Sequence, residues 1–183
     1  MSGWIWLAIV ILVVLVLVAL YLSMTAGRLD RLHLRIETSR LALQAQLLRR
    51  SSVCIELSSG QWLDPATSLL LADAAHRARI SADEEPEEQA RAESDLTGIL
   101  RDTVDPEELA AVAETDDGPE LLGELDAACL RVQLSRRFYN DAVRACRQVR
   151  SRRMVRWFRL AGHTPLPEYW EMDDDVPIAG REG

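Results

Sequence analysis

The hydrophobic positions near the N-terminus form one unbroken run. From Trp4 to Leu22, nineteen residues carry no charged side chain. A helix of that length spans about 29 Å, close to the roughly 30 Å hydrocarbon core of a bilayer. Trp4, Trp6 and Tyr21 lie at its ends, where amphipathic rings favour the headgroup region. The pattern predicts a transmembrane anchor within residues 1–27.

A cleaved signal peptide is the alternative interpretation of this run. Such a peptide has a basic start, a shorter apolar centre and a small-residue cleavage site. No basic residue precedes Trp4, and no clean A-x-A sequence follows Leu22. We therefore expect the anchor to be retained.

The charges beside the run predict its orientation. Residues 1–3 carry no basic side chain, whereas Arg28, Arg31, Arg35 and Arg40 follow the run. Moving Arg across the bilayer is costly, so this flank should stay in the cytoplasm. We expect a single-pass protein of the cell membrane, with its N-terminus outside and its C-terminal domain cytoplasmic.

Two apolar stripes follow the anchor, and they predict a long helix that ends near Ser58–Gly60. The first stripe repeats every seven residues at Leu34, Leu41, Leu48 and Ile55. The second holds Leu29, Leu32, Ile36, Leu43 and Leu47. Placed on neighbouring faces, the two would form a broad surface that suits a bundle better than a two-stranded seam.

The rest of the chain also reads as helical. Asp64–Pro65 and Asp105–Pro106 each combine a capping carboxylate with Pro in the first turn. Pro86 can open another helix, and the last long helix is expected from about Pro119 to beyond Val149. No strand-like alternation occurs in the sequence. The predicted fold is all-α, an antiparallel bundle of three or four helices, with four favoured.

Composition narrows the function classes. The net charge is −8 and every basic residue is Arg, a balance that argues against nucleic-acid binding. Residues 81–126 hold 17 acidic and 2 basic side chains, whereas residues 131–159 hold 10 Arg and one acid, Asp141. Such runs are most often solvated helix faces, although packing of the acidic run beside the basic helix would bring them together.

The C-terminal part carries the most specific motif. Its spacing, R-x-x-Y-N-x-x-V, is formed by Arg136, Tyr139, Asn140 and Val143. An apolar turn, Trp157–Gly162, and the sequence PLPEYWE at Pro165–Glu171 follow. The combination resembles the C-terminal signature of the LemA family, and the long first helix ending in the basic pair Arg49–Arg50 is similar too. The middle, residues 60–118, matches poorly.

The resemblance implies a divergent member of a family of membrane-anchored antiparallel helical bundles without an agreed biochemical activity. On this interpretation residues 28–162 form the cytoplasmic bundle, and residues 163–183 form an acidic, Pro-containing tail. Asn140 is the only Asn of the chain and a poor residue for a helix interior. We expect it to bond a neighbouring helix and fix the register, with a ligand contact as the alternative.

Residues 147–161 predict a basic amphipathic helix. On a helical wheel, apolar Trp157 and Phe158 lie opposite Arg152, Arg156 and Arg159. These five residues are candidates for contact with the membrane surface. The alternative is an ordinary final turn packed on the bundle.

Sequence motifs offer no catalytic set. The three His lack a second ligand at metal spacing, and no P-loop, G-x-S-x-G or G-x-G-x-x-G sequence is present. The three Cys, scattered and without a C-x-x-C pair, are expected to be core thiols. Asp173–Asp175 is expected to be an exposed acidic tail rather than a cation site. We therefore predict no catalytic residue, cofactor or metal, and no small-molecule substrate can be named.

These features favour a non-enzymatic interaction or scaffold module at the cytoplasmic membrane face. Its expected partners are the lipid bilayer and either other membrane proteins or further copies of itself, and not nucleic acid. The alternative is an accessory subunit of a larger membrane complex. A hydrolase is a third hypothesis that no motif supports.

Overall fold

The computed structural model describes residues 2–60, 62–152, 157 and 165–175. Helix is the main regular secondary structure of these residues, residues 165–175 have none, and no strand occurs among them, which confirms the all-α prediction. The helices are α1 (Ser2–Ser59), α2 (Pro65–Ile80), α3 (Pro86–Asp102), α4 (Pro106–Ala113) and α5 (Gly118–Arg150), and a 3-10 turn covers Ser81–Asp83.

The helix starts follow the predicted capping chemistry. The Asp64 carboxylate accepts hydrogen bonds from the N–H groups of Ala66 and Thr67 at 2.8 and 3.2 Å. Asp105 accepts from the N–H of Glu107 at 2.8 Å. Each bond satisfies a donor that has no partner within the first helical turn. The predicted starts at both Asp-Pro pairs are confirmed.

The last helix begins one residue earlier than expected, at Gly118. A Cβ atom at this position would overlap the main-chain carbonyl of Val112. Only Gly permits this close approach, so the turn between α4 and α5 depends on it.

By packing, the chain divides into two compact units. The N-terminal unit contains residues 1–38 and 141–168, and the central unit contains residues 39–140 and 169–183. All five helices contribute to the hydrophobic core of the central unit. Its buried residues include Val53, Cys54 and Leu57 of α1, Leu71, Ala74 and Ala78 of α2, Leu96 and Leu100 of α3, Val112 of α4, and Leu121, Leu125 and Cys129 of α5.

A smaller apolar cluster lies in the N-terminal unit. Leu29 packs with Cys146 and Val149, and Leu32 and Ile36 contact this group. The first segment of α1 is different, because its large side chains, from Trp4 to Tyr21, are exposed. By length and composition α1 is a helix that could cross a membrane.

The two apolar stripes of α1 lie in different environments except at Ile55, which packs against the core, and this corrects our expectation of one broad buried surface. Leu43 and Leu47 of the second stripe are buried. Leu34, Leu41 and Leu48 of the first stripe are 68%, 58% and 41% exposed. With 3.6 residues per turn, positions nine apart, such as Leu34 and Leu43, lie half a turn apart. The stripes therefore occupy opposite faces of the helix and not neighbouring ones.

The basic segment at the end of α5 is also corrected. The helix ends at Arg150, and a turn and a bend follow at Ser151 and Arg152. One continuous amphipathic helix over 147–161 is therefore wrong. Arg152 and Trp157 are exposed. The other membrane-surface candidates, Arg156, Phe158 and Arg159, lie outside the described residues.

Candidate functional site

The most unusual group of the central unit is a charged pair inside its core. Arg50 of α1 and Glu93 of α3 are both buried, with 2.7 Å between Arg50 Nη2 and Glu93 Oε2. The same nitrogen donates to the main-chain carbonyl of Glu93 at 3.0 Å, and Nη1 donates to the Thr97 hydroxyl oxygen at 3.0 Å. Thr97 in turn donates to the Glu93 carbonyl at 3.0 Å. The guanidinium thus joins α1 to two successive turns of α3.

The sequence pattern did not place Arg50 in the core, because a pair of basic residues such as Arg49–Arg50 is usually solvent-exposed. The spacing of the neighbouring leucines carried part of the signal, and the structure shows which leucine row is buried. Leu43 and Leu57 lie seven residues before and after Arg50, and both are buried. An Arg that continues a seven-residue row of buried leucines must itself face the core. Its neighbour Arg49 points outward and pairs with Glu124 at 3.0 Å.

Burial raises the pKa values of the ionisable side chains at and around this pair. Burial raises the pKa of Glu93, against the opposing attraction of Arg50. Burial likewise raises the pKa of the Cys54 thiol to about 12, although the charge of Arg50 lowers it. The pKa of Cys129 is raised by burial as well. Cys54 and Cys129 are free thiols, and at neutral pH they are protonated core residues rather than nucleophiles.

A second group forms where the C-terminal segment lies against α5. Trp170 is buried, and its ring meets Tyr139 edge to face at a centroid distance of 6.4 Å. The Asn140 amide donates to the Trp170 carbonyl at 3.1 Å and accepts from the Trp170 N–H at 2.8 Å. The side chain therefore satisfies both main-chain groups of one residue, as a neighbouring strand would.

After Trp170, the acidic residues Asp173 and Asp174 also bind side chains of α3 and α5. Asp174 accepts two hydrogen bonds from the Arg136 guanidinium, at 2.6 and 2.9 Å. Gln133 donates to the Asp174 carbonyl at 2.7 Å. Asp173 pairs with Arg101 of α3 at 2.8 Å. Ser94, also of α3, accepts from the Asp173 N–H at 3.0 Å. Residues 169–175, the docked tail, are thus tied to both α3 and α5.

Three residues of the family-like motif meet the same partner. Arg136, Tyr139 and Asn140 all contact the docked tail. The expected bond from Asn140 to a neighbouring helix is wrong, because the amide bonds the main chain of the tail. Val143, the fourth motif residue, is buried in the N-terminal unit.

The acidic tail is exposed at Asp173 and Asp175, as expected, but not at Asp174. Only 12% of the Asp174 side chain is exposed, because Arg136 supplies both charge and paired donors. The hydrogen bond from Arg101 holds the pKa of Asp173 below its ordinary value, and the Asp175 N–H contributes. The acid triplet is a docking element of the fold.

In the N-terminal unit, two Arg side chains of α5 donate to main-chain carbonyls. Arg147 donates to the carbonyl of Pro167 at 3.1 Å, and Arg150 donates to that of Pro165 at 2.7 Å. Because Pro restricts the main chain to an extended form, these carbonyls are presented without competing turns. Both ends of PLPEYWE are therefore held by Arg or Asn side chains of α5.

The polar side chains of α3 and α5 hold residues 169–175 of the same chain in place. Within the described residues no cluster of three His, Cys, Asp or Glu side chains could hold a metal ion. No family model matches the chain, and no curated protein is significantly similar to it.

Proposed function

We propose that this chain is a non-enzymatic, membrane-anchored helical-bundle protein that serves as an interaction or scaffold module at the cytoplasmic membrane face. The observation that carries the proposal is the exposure of the first segment of α1. In a soluble protein a helix this apolar would be a core element and would be buried. Here its side chains are exposed over more than four turns, and a bilayer is the medium that would cover them.

The short connections support an antiparallel bundle as its architecture. Each of the four segments between successive α-helices has at most five residues, a length typical of antiparallel neighbours. We propose that α1, α2, α3 and α5 form the four helices, with α4 as a short connecting helix. This arrangement agrees with the resemblance to the LemA family, of which the chain would be a divergent member.

The use of charge supports a structural role for the polar groups. The two least exposed ion pairs each join two segments of the chain: Arg50–Glu93 joins α1 to α3, and Arg136–Asp174 joins α5 to the docked tail.

Membrane retention tests the anchoring. We expect full-length protein in the membrane fraction after alkaline carbonate extraction, with residues 1–22 intact by mass spectrometry. Val14→Arg should impair retention, since Arg at the centre of a span costs about 2.5 to 3.5 kcal/mol on insertion scales. The matched variant Val14→Ile should not. A soluble wild-type protein with a shortened N-terminus would refute the anchor.

Purification from detergent then separates the scaffold from the accessory subunit. A homo-oligomer without other proteins supports the scaffold. Stoichiometric co-purification with one membrane complex would instead support the accessory subunit.

A further inference from the structure

The outer face of α1 carries a regular row of exposed leucines. Leu34, Leu41 and Leu48 lie on one uninterrupted helix and repeat every seven residues. Their exposed fractions fall from 68% to 41% along the row. Leu43 and Leu57, half a turn away from Leu34 and Leu48, are buried on the opposite face. The row is therefore not part of the core.

Small side chains alternate with these leucines. Thr38, Ala45 and Ser52 are exposed, and they divide each seven-residue interval into steps of four and three. This alternation is the spacing of a coiled-coil seam, in which each knob enters a hole on a facing helix. We call Leu34, Thr38, Leu41, Ala45, Leu48 and Ser52 the leucine seam.

We propose that the leucine seam is the contact surface of a parallel, in-register homodimer. A second copy fits because the seam is self-complementary. Each leucine would meet the same leucine of the partner, as an isologous interface requires. Association would remove the exposed leucines from water, which is the main driving force for coiled coils.

The charges beside the seam select the parallel orientation. Arg28 and Arg35 lie on one flank, and Asp30 and Glu37 lie on the other. In a parallel, in-register pair Asp30 of one copy faces Arg35 of the other, the five-residue spacing of charged pairs beside a coiled-coil seam. In an antiparallel pair aligned on the seam, Arg35 would instead lie near Arg49, and Asp30 and Glu37 would face Ser58 and Ser51 without a basic partner.

The anchor gives the same orientation, and this step rests on the proposed membrane anchoring. Two copies inserted through the same apolar segment enter the bilayer in the same direction. Leu34 lies twelve residues beyond Leu22, about 18 Å along the helix. The seam would thus begin outside the bilayer at the same height in both copies.

Cross-linking at single positions tests the register. We would introduce Leu34→Cys, Leu41→Cys and Leu48→Cys one at a time into the full-length chain and treat isolated membranes with a short bis-maleimide. The native thiols are buried, so the unsubstituted chain gives the background. Covalent dimers are expected at all three positions.

Leu134→Cys on α5 is the matched control. Leu134 has the same exposed fraction as Leu48, 41%, and the same side chain, but it lies outside the seam. It should give no dimer above background. Cross-linking at only one seam position would overturn the parallel register. Cross-linking at Leu134 with none at the seam would place the interface elsewhere and overturn the proposal.

A dissociating variant gives a second, non-covalent readout. Leu41→Glu places like charges face to face in the dimer, so the detergent-solubilised protein should sediment as a monomer, whereas the wild type sediments as a dimer. Leu69→Glu, on the exposed face of α2, should leave the dimer intact. A monomeric wild type would overturn the seam.

The experiments distinguish failure of the proposed leucine seam from failure of the proposed membrane anchor. Protein that leaves the membrane on carbonate treatment but still cross-links at all three positions would refute the anchor and support the seam. Protein that stays in the membrane without cross-linking would refute the seam alone.

Discussion

At the scale of single residues, breaking the buried Arg50–Glu93 pair should destabilise the central unit. A buried ion pair adds little net stability compared with apolar residues, but removing one partner leaves an uncompensated buried charge. Glu93→Ala should therefore cost about 3 to 5 kcal/mol of unfolding free energy, measured by urea denaturation of the protein in detergent.

Two variants separate the buried charge from simple loss of contacts. The double substitution Arg50→Met with Glu93→Leu should recover most of the stability lost in Glu93→Ala, because no charge remains inside. Arg49→Met breaks only the exposed pair with Glu124 and should cost about 0 to 1 kcal/mol. An equal cost at Arg49 and Glu93 would contradict the role given to burial.

The same residues show how far sequence reasoning reaches at this scale. Periodicity marks two leucine rows on α1 but does not tell which one is buried, because the exposed row of Leu34 and Leu41 is as regular as the buried row of Leu43 and Leu57. Spacing also includes Arg50 in the buried row, but polarity argues against burial. The partner, Glu93, lies 43 positions away on another helix. No local pattern specifies such a pairing, so the pair emerges only from the folded chain.

At the scale of elements, the docked tail depends on Asn140. Asn140→Ala removes both hydrogen bonds to Trp170 and leaves its main-chain groups without these partners, so docking should weaken by about 1 to 3 kcal/mol. Hydrogen exchange of residues 169–175 should accelerate, while that of α2 stays unchanged. Asn140→Asp, which keeps the acceptor and loses the donor, should lie between the wild type and Asn140→Ala. Unchanged exchange in the tail would contradict the assignment.

Tail docking should also depend on pH. The folded pKa of Asp173 is lowered, chiefly by the hydrogen bond from Arg101. Its contribution is therefore complete above the ordinary carboxyl pKa of about 3.9 and is lost as the pH falls through the lowered folded value. Proteolysis of the tail by an acid-active protease should increase in that range.

The matched variants identify the responsible pair. Arg101→Gln should move the pH at which docking is lost upward, toward the ordinary carboxyl range. Asp175→Asn should leave the profile unchanged, because Asp175 takes part in docking through main-chain groups. A profile that ignores Arg101→Gln would assign the acid sensitivity to another group.

Elements differ in how well the sequence predicts them. The starts of α2 and α4 could be predicted because the capping carboxylate and the Pro are local to each start. The docked tail could not, since an extended segment with several acids has no periodicity and reads as solvated. Its order comes from donors on α3 and α5 that are distant in sequence, such as Arg101 and Asn140.

At the scale of the whole molecule, the structure changes how orientation should be measured. A membrane-impermeant thiol reagent applied to intact cells will miss Cys129 in either orientation, because that thiol is buried and its pKa is raised. Failure to label it carries no information on the side of the membrane. A thiol that is exposed in the folded chain is required.

Ser59→Cys meets that requirement, since Ser59 is exposed at the last residue of α1. The excess of Arg after the apolar run predicts that this position is cytoplasmic. The reagent should therefore label the variant only after the cells are lysed. Ser23→Cys, also exposed, lies at the same flank of the run and should behave alike, whereas Ser2→Cys precedes the run and should be labelled on intact cells. Labelling of Ser59→Cys without lysis, with protection at position 2, would reverse the orientation and place the leucine seam and the docked tail outside the cell.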